Sequence, residues 1–363
     1  MRTVGHITPW GVHCGIAKHL SYWLPELRRP SVIYAEDPPP WYTTRETWGT
    51  WPQERVWQRG ASGALTRIVQ RAAKDGAGIL HLQWDPGFFA WQDVNDAKGQ
   101  LDLHEIKLIV TAHCLVADRP WTLPNKAMLR AVDRLAVGTP AMVEAFTKYA
   151  AGFQITLRAP VAHVPLPHAP GASGLRRAIG DLSEAVILTW GMLGSIKGHT
   201  ETLEAVRFLR GNGCPGARYI VMGRALTGEQ RRNLEILREH AATDPAALEI
   251  YEGFHTDEDI IGACRQADVI ILNHQTDYSS SSGTIATSVA SGTPVVVSRS
   301  RMFSGYEGAV AVAEPGTEGL AKTIDAVLHR RADRDWRYFR VCARTAPAAV
   351  ARAYEELYKE LEQ

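Results

Sequence analysis

The chain lacks most of the features that place a sequence quickly. Of its 363 residues only five are cysteines (Cys14, Cys114, Cys214, Cys264, Cys342), odd in number, scattered, and never spaced as C-x-x-C. This argues against a disulfide framework or a zinc knuckle and fits a reducing compartment. No apolar run approaches the ~18 residues that cross a bilayer, and the opening MRTVGHITPWG has no signal-peptide core. The expectation is a soluble, cytoplasmic protein that touches a membrane peripherally at most. Formal net charge is +1, so no global field calls for a nucleic acid or an anionic surface. The first 165 residues are mildly basic and the rest mildly acidic, a weak asymmetry. There is no H-E-x-x-H, no paired His/Cys spacing, no internal repeat and no low-complexity tract, and no bound metal is expected.

What is present is an ordinary globular composition, 45% hydrophobic and 22% charged, on a chain too long for one core and suited to two domains. Short apolar runs at 2–7, 31–34, 79–83, 107–112 and 134–137 are each followed by a helical pattern. A second series runs through 185–190, 218–222, 248–251, 268–272 and 294–298. Strands alternating with helices predict parallel sheets covered on both faces. The Pro- and His-rich stretch 159–174 reads as a linker between the two series. The predicted fold class is α/β: two Rossmann-like domains, 1–160 and 175–340, with their parallel sheets facing across a cleft. Residues 341–363 form a terminal helix, with Ala349, Ala353, Leu357 and Leu361 at helical spacing, packing back toward the N-terminal domain.

Ligands of open parallel sheets bind beyond the carboxyl ends of the strands, so the chemistry is sought there. After the first strand, Gly11 and Gly15 let the backbone approach a ligand and open a helix whose N-terminus attracts anions; the plain alternative is a tight turn. After strand 185–190, Lys197 stands between Gly194 and Gly198 before a helix, placed to reach a phosphate. In YSSSSGTIATSVASGTPVVVS (278–298), exposed N–H groups and hydroxyls at Ser282, Gly283 and Thr284 make a diphosphate site, or else merely cap a short helix. Thr256 with Asp257-Glu258-Asp259 resembles an acidic metal motif but fits a helix cap better. Residues 41–59 hold four tryptophans, among them Trp48 and Trp51, and a basic stretch 55–74 contains Arg67 and Arg71. Aromatic faces suit sugars or bases and cations suit phosphates or anionic lipid, while the plain reading is a pinned loop and a solvated helix.

Taken in order, these segments resemble the family 4 glycosyltransferases of the GT-B fold. The pieces are HITPWGVHCGIAKHL, VTAHC, GMLGSIKGHTETLEAV, IVMGRAL, EGFHTDEDIIGACRQADVIILN, SGTIATSVASGTPVVVS and the terminal VARAYEELYKEL. The resemblance implies a retaining transfer of a hexosyl or pentosyl group from a nucleotide-diphosphate sugar. That sugar is a co-substrate, with no other cofactor and no structural need for a metal. It implies donor binding by Gly11, Gly15, Gly194, Lys197, Arg224, Ser282, Gly283 and Thr284, with Lys197 and His113 in catalysis. His113, at the end of strand 107–112, would donate a hydrogen bond to a sugar hydroxyl. The acceptor belongs to the N-terminal domain, where Trp48, Trp51, Arg67 and Arg71 are its candidate contacts. It is a saccharide, a lipid-linked glycan, a natural product or a modified DNA base, so a nucleic acid or an anionic membrane surface stays open as a partner. The family's Glu-x7-Glu is missing, with Ser279 and Thr287 in those places, and Met192 stands where a basic residue is usual, which leaves Arg224 to compensate. The missing carboxylates keep a non-catalytic partner subunit or glycan-binding protein as the alternative. A nucleotide-sugar epimerase would need acid–base carboxylates that the motifs do not supply.

Overall fold

A computed structural model describes residues 1–38, 51–115, 122–173, 184–275, 281–329 and 336–363. Among the described residues thirteen strands lie in two sheets. The first contains β1 (Thr3–Thr8), β2 (Ser31–Glu36), β3 (Gln53–Trp57), β4 (Ala77–Trp84), β5 (Lys107–Ala112), β6 (Arg134–Val137) and β7 (Ala162–His163). The second contains β8 (Val186–Trp190), β9 (Arg218–Gly223), β10 (Leu248–Glu252), β11 (Val269–Leu272), β12 (Val295–Val297) and β13 (Ala311–Val312). Their orders are β3-β2-β1-β4-β5-β6-β7 and β10-β9-β8-β11-β12-β13. Every pairing is parallel. Strand order reverses between β1 and β4 in one sheet and between β8 and β11 in the other. Each reversal leaves a crevice beyond the carboxyl ends of the two central strands, where such folds take ligands.

Burial on both faces explains why the strands read as continuous apolar runs. In β5, Leu108 and Val110 join one core with the helix Ala64–Lys74, while Ile109 joins the other with Trp23 and Tyr354. In the second sheet, Val269 and Ile271 face the helix His199–Gly211 and Ile270 and Leu272 face the helix Ile285–Ala290. Three strands were not read from the sequence. β3 falls in the tryptophan-rich segment expected to be loop, β7 falls in the expected linker, and β13 is two residues long. β3 and β7 are edge strands, which carry less of the apolar signal than central ones. The passage between the units falls at Pro167–His168, inside the expected linker 159–174, in which Val161, Val164, Leu166, Ala169 and Ala172 are buried.

By contacts the chain forms two compact units. One comprises Met1–Pro167, the piece 281–283 and Pro347–Gln363; the other comprises 168–275 and Thr284–Ala346. Within the first, the helix Pro347–Glu360 buries Val350, Ala351, Tyr354, Glu355 and Tyr358. The expected apolar stripe of Ala349, Ala353, Leu357 and Leu361 is only partly buried, because two tyrosines turn inward instead. Tyr354 stacks on Trp23 at 4.5 Å, and Arg29, itself buried, bonds Glu355 (3.0 Å) and Glu362 (3.1 Å) beneath the Tyr358 ring. No described helix is long and apolar enough to cross a membrane.

Candidate functional site

In the second unit the site is built around the β8 turn. Gly191 has φ 114° and Gly198 has φ 60°, conformations that side chains rarely adopt. A Cβ on Gly198 would fall 2.5 Å from the Asn273 carbonyl oxygen, and one on Gly223 would fall 1.7 Å from the Gly191 carbonyl oxygen. The turn Ser195–Lys197 is held against the end of β11 by the Gln275 N–H, which donates to the Ile196 carbonyl at 2.7 Å. Lys197 therefore stands at the crevice where strand order reverses. A Cβ on Gly191 would lie 3.4 Å from Lys197 Nζ and 3.1 Å from the Thr284 methyl, so backbone, ammonium and threonine converge.

Among the described residues no acid compensates the ammonium there. Burial alone lowers its pKa from 10.5 to about 8. The titrating groups that feel it, His199 and His274, are bases lowered to about 3, by burial first and by Lys197 second. His199 Nδ1 lies 3.0 Å from the Tyr219 hydroxyl, and among the described residues its buried Nε2 has no partner. A desolvated cation whose described titrating neighbours are neutral bases is a site short of an anion.

Arg224 follows β9 and accepts the Leu193 N–H at its carbonyl (3.0 Å), but its guanidinium lies over the Phe254 ring at 4.4 Å rather than beside Lys197. Gly194 is not required by geometry, since a Cβ there would meet only Ile196, at 3.7 Å. The turn's demanding glycines are 191, 198 and 223, and two of them escaped the sequence reading. The run Asp257–Asp259 forms the expected cap: Thr256 Oγ1 accepts from the Asp259 N–H, and Asp259 accepts from the Thr256 N–H, both at 3.1 Å. Among the described residues no three His, Cys, Asp or Glu side chains are grouped to hold a metal.

The first unit gathers a different set. Gly11 has φ 71° in the loop after β1, and a Cβ on Gly15 would meet nothing within 4 Å. His113, just past β5, donates Nε2–H to Gln83 Oε1 at 2.8 Å. Its pKa is lowered to about 3 by burial and, second, by His19. His19, on the helix Gly15–Trp23, donates its Nε2–H to the Gly283 carbonyl at 3.2 Å, and a Cβ on Gly283 would fall 2.8 Å from its ring. Sequence reasoning passed over His19 because a helical histidine carries no signal by itself. It also passed over buried Glu36, at the end of β2, which takes Arg59 bidentately at 2.6 and 2.9 Å. Asp85, just past β4, has its pKa raised by burial while Arg59 opposes the rise.

The remaining sequence-predicted contacts are spread over both units. Ser282 and Thr284 were expected to expose their N–H groups, yet both residues are buried. By contacts 282 and 283 go with the first unit and 284 with the second. The helix that follows has six residues, all buried, and Thr284 gives it no side-chain cap. Arg71 is spent internally, bonded to Asp75 (3.0 Å) and to Glu54, while Arg67 donates to the Ser62 carbonyl at 2.8 Å. Trp51 packs on the core of the first unit. Trp48 and Ser279 lie outside the described residues. Two cavities lie elsewhere. One of about 370 Å³ is lined by Arg2, Glu105, Lys107 and Arg130, and one of about 660 Å³ is lined by residues of β8, β9 and the helix Asp257–Gln266.

No protein-family model matches the chain, and no curated protein matches it in sequence. Solved structures do match over its whole length. A crystal structure of Anabaena HepE in complex with UDP and glucose superposes with a TM-score of 0.70 at 12% identity, covering 99% of this chain and 100% of that one. A UDP-forming α,α-trehalose-phosphate synthase from Burkholderia xenovorans gives 0.71 at 13% identity, covering 100% and 99%. A glycosyltransferase from Rickettsia africae gives 0.69 at 14% identity, again covering 100% and 99%. At such identities the likeness establishes the fold: two Rossmann-like units of the GT-B class.

Proposed function

We propose that the chain is a glycosyltransferase that takes a sugar from a nucleotide-diphosphate donor and passes it, with retention, to an acceptor hydroxyl. The observation that carries this reading is Lys197. It is a partly buried ammonium at the strand-order reversal of the second unit, with glycines around it and, among the described residues, no carboxylate to neutralise it. The charge that grows when a nucleotide sugar breaks is on the departing diphosphate, so a preorganised cation stabilises that transition state. Proteins of like fold include one crystallised with UDP and glucose and another named for forming UDP, which makes a UDP-sugar the first donor to try. Arg224 and Thr284 are the donor's further contacts.

The acceptor is assigned to the first unit, where Gly11, Gly15, His113, Asp85 and the Glu36–Arg59 pair stand beyond β1, β2, β4 and β5. A mix of neutral imidazole, carboxylates and guanidinium suits a molecule rich in hydroxyls. The internal pairing of Arg71 speaks against a polyanionic acceptor held on the 55–74 stretch, and favours a saccharide or a small hydroxylated product. The motif resemblance supports placement in glycosyltransferase family 4 and a metal-independent reaction.

The test is a screen of UDP-, GDP- and ADP-sugars for thermal stabilisation and for slow release of the nucleotide, because a ligand of the native state raises its stability. Stabilisation by one nucleotide class, weakened in Lys197→Ala, supports the proposal. Indifference to all of them refutes it, and stabilisation without turnover points to a non-catalytic binding subunit.

A further inference from the structure

The cavity of about 370 Å³ in the first unit lies at the opposite end of the sheet from the proposed chemistry. Arg2 precedes β1, Glu105 and Lys107 stand at the start of β5, and Arg130 comes before β6, so the lining gathers at the amino ends of the strands. From Lys107 to His113 the extended chain advances six residues at ~3.3 Å each, which puts roughly 20 Å between the cavity and the acceptor crevice. A ligand held here takes no part in sugar transfer.

A glycine brings Arg2 to the cavity. Its side chain crosses the start of β4, where a Cβ on Gly78 would fall 2.5 Å from Arg2 Cδ, and its Nη1 donates to the Glu105 carbonyl at 3.3 Å. Most acids of the lining are already spent. Asp133 holds Arg158 and accepts the Leu108 N–H at 2.8 Å, and Asp102 holds Lys98. Arg158 also donates to the Arg130 carbonyl at 2.8 Å, which fixes the turn that carries Arg130. What remains, among the described residues, is three cations without an ion-pair partner, Arg2, Lys107 and Arg130, against the one carboxylate of Glu105. We propose that this cavity binds the phosphate group of a hydroxyl-rich phosphate monoester. The three cations share the three terminal oxygens of the phosphate. Glu105 would only repel a free phosphate, but it accepts a hydrogen bond from a hydroxyl of the molecule that carries one. The volume falls within the roughly 300–1,000 Å³ of small-molecule sites.

The test is titration of the full chain with ribose 5-phosphate and with inorganic phosphate, read by calorimetry and thermal unfolding, with sodium chloride at equal ionic strength as the control. Ribose 5-phosphate should stabilise the fold and bind about threefold tighter or more than inorganic phosphate, a preference that Glu105→Ala should erase. Lys107→Met and Arg130→Gln should each weaken both ligands about tenfold or more. Gly78→Ala, which pushes Arg2 aside and leaves the other two cations in place, should weaken both as well and serves if a cation variant does not fold. Binding should survive in Lys197→Met, which separates this site from the proposed diphosphate site. Loss of binding in that variant assigns the phosphate to Lys197 and overturns the inference. Equal stabilisation by chloride, or affinity unchanged in Lys107→Met and Arg130→Gln, overturns it too. Equal affinity for the two phosphates overturns the part given to Glu105.

Discussion

Burial lowers Lys197 to a pKa of about 8, and a diphosphate beside it should raise that value again, because an opposite charge favours the ammonium. A base whose pKa rises on binding takes up a proton. Affinity for UDP should therefore be flat below the free value and decline above it. At pH 9 about one-tenth of the free protein carries the charge, so binding should be about tenfold weaker than at pH 7, or ~1.4 kcal/mol. The phosphate's own ionisation, near pH ~6, is complete over this range. Titration calorimetry in two buffers of different ionisation heat counts the proton directly, with about half a proton taken up at pH 8. Lys197→Met should flatten the slope and weaken binding at pH 7 by ~1.5–3 kcal/mol. The same substitution should act oppositely on the ligand-free fold. A lysine whose folded pKa lies below its unfolded value penalises the native state fully below pH 8, and the penalty fades as pH rises toward 10.5. The variant should thus be more stable than wild type at pH 7, by about 1–3 kcal/mol. UDP affinity unchanged up to pH 9.5, or a slope that survives in Lys197→Met, would refute the assignment of the phosphate to this residue.

Gly198→Ala should cost more than ~2 kcal/mol in thermal unfolding, since positive φ and a 2.5 Å approach to the Asn273 carbonyl combine there, whereas Gly194→Ala should be near neutral. Glu355→Ala should cost ~3–5 kcal/mol, by leaving buried Arg29 short of its nearer carboxylate, and denaturant titration reads the loss. EDTA should leave sugar transfer intact, because the Asp257–Asp259 run is engaged as a helix cap; activity lost to the chelator and restored by magnesium would show a metal role instead. Arg71→Gln should leave the salt dependence of acceptor binding unchanged, its charge being shared with Asp75 and Glu54, and a shallower dependence would reinstate a polyanionic acceptor.

The two-sheet architecture was legible because central parallel strands are apolar on both faces, and such runs show in any sequence. Edge strands are not: Gln53–Trp57 contains Gln, Glu and Arg, and nothing in it announces a strand. Lys197 was legible because glycine, lysine and the start of a helix fall in a fixed local order. Gln83, His81, Glu36 and Asp85 were not, because each gains its meaning from residues distant in the chain, such as Tyr358, 277 positions from His81. The apolar stripe expected on the terminal helix packs against the core but buries only in part, for a related reason. Tyr354 and Tyr358 bury beside it because Thr111 and His81 take up their hydroxyls. The sequence treated Arg71 as a free cation, and only the fold shows the acids that hold it.

The first unit begins and ends the chain: the backbone N–H of Arg2 donates to Glu362 Oε1 at 2.6 Å. During synthesis, Arg29 and His81 are made 326 and 277 residues before Glu355 and Tyr358, which satisfy them. Until Glu355 and Tyr358 leave the ribosome, the first unit would have to bury a guanidinium without Glu355 and an imidazole with no phenol, so its closure waits for Pro347–Gln363. The stretch 168–346 carries all of the second unit and faces no such delay. The later-made unit is thus free to finish first, and a chain cut short before Pro347 would leave the earlier-made one with an open polar seam, ready to be recognised as unfinished.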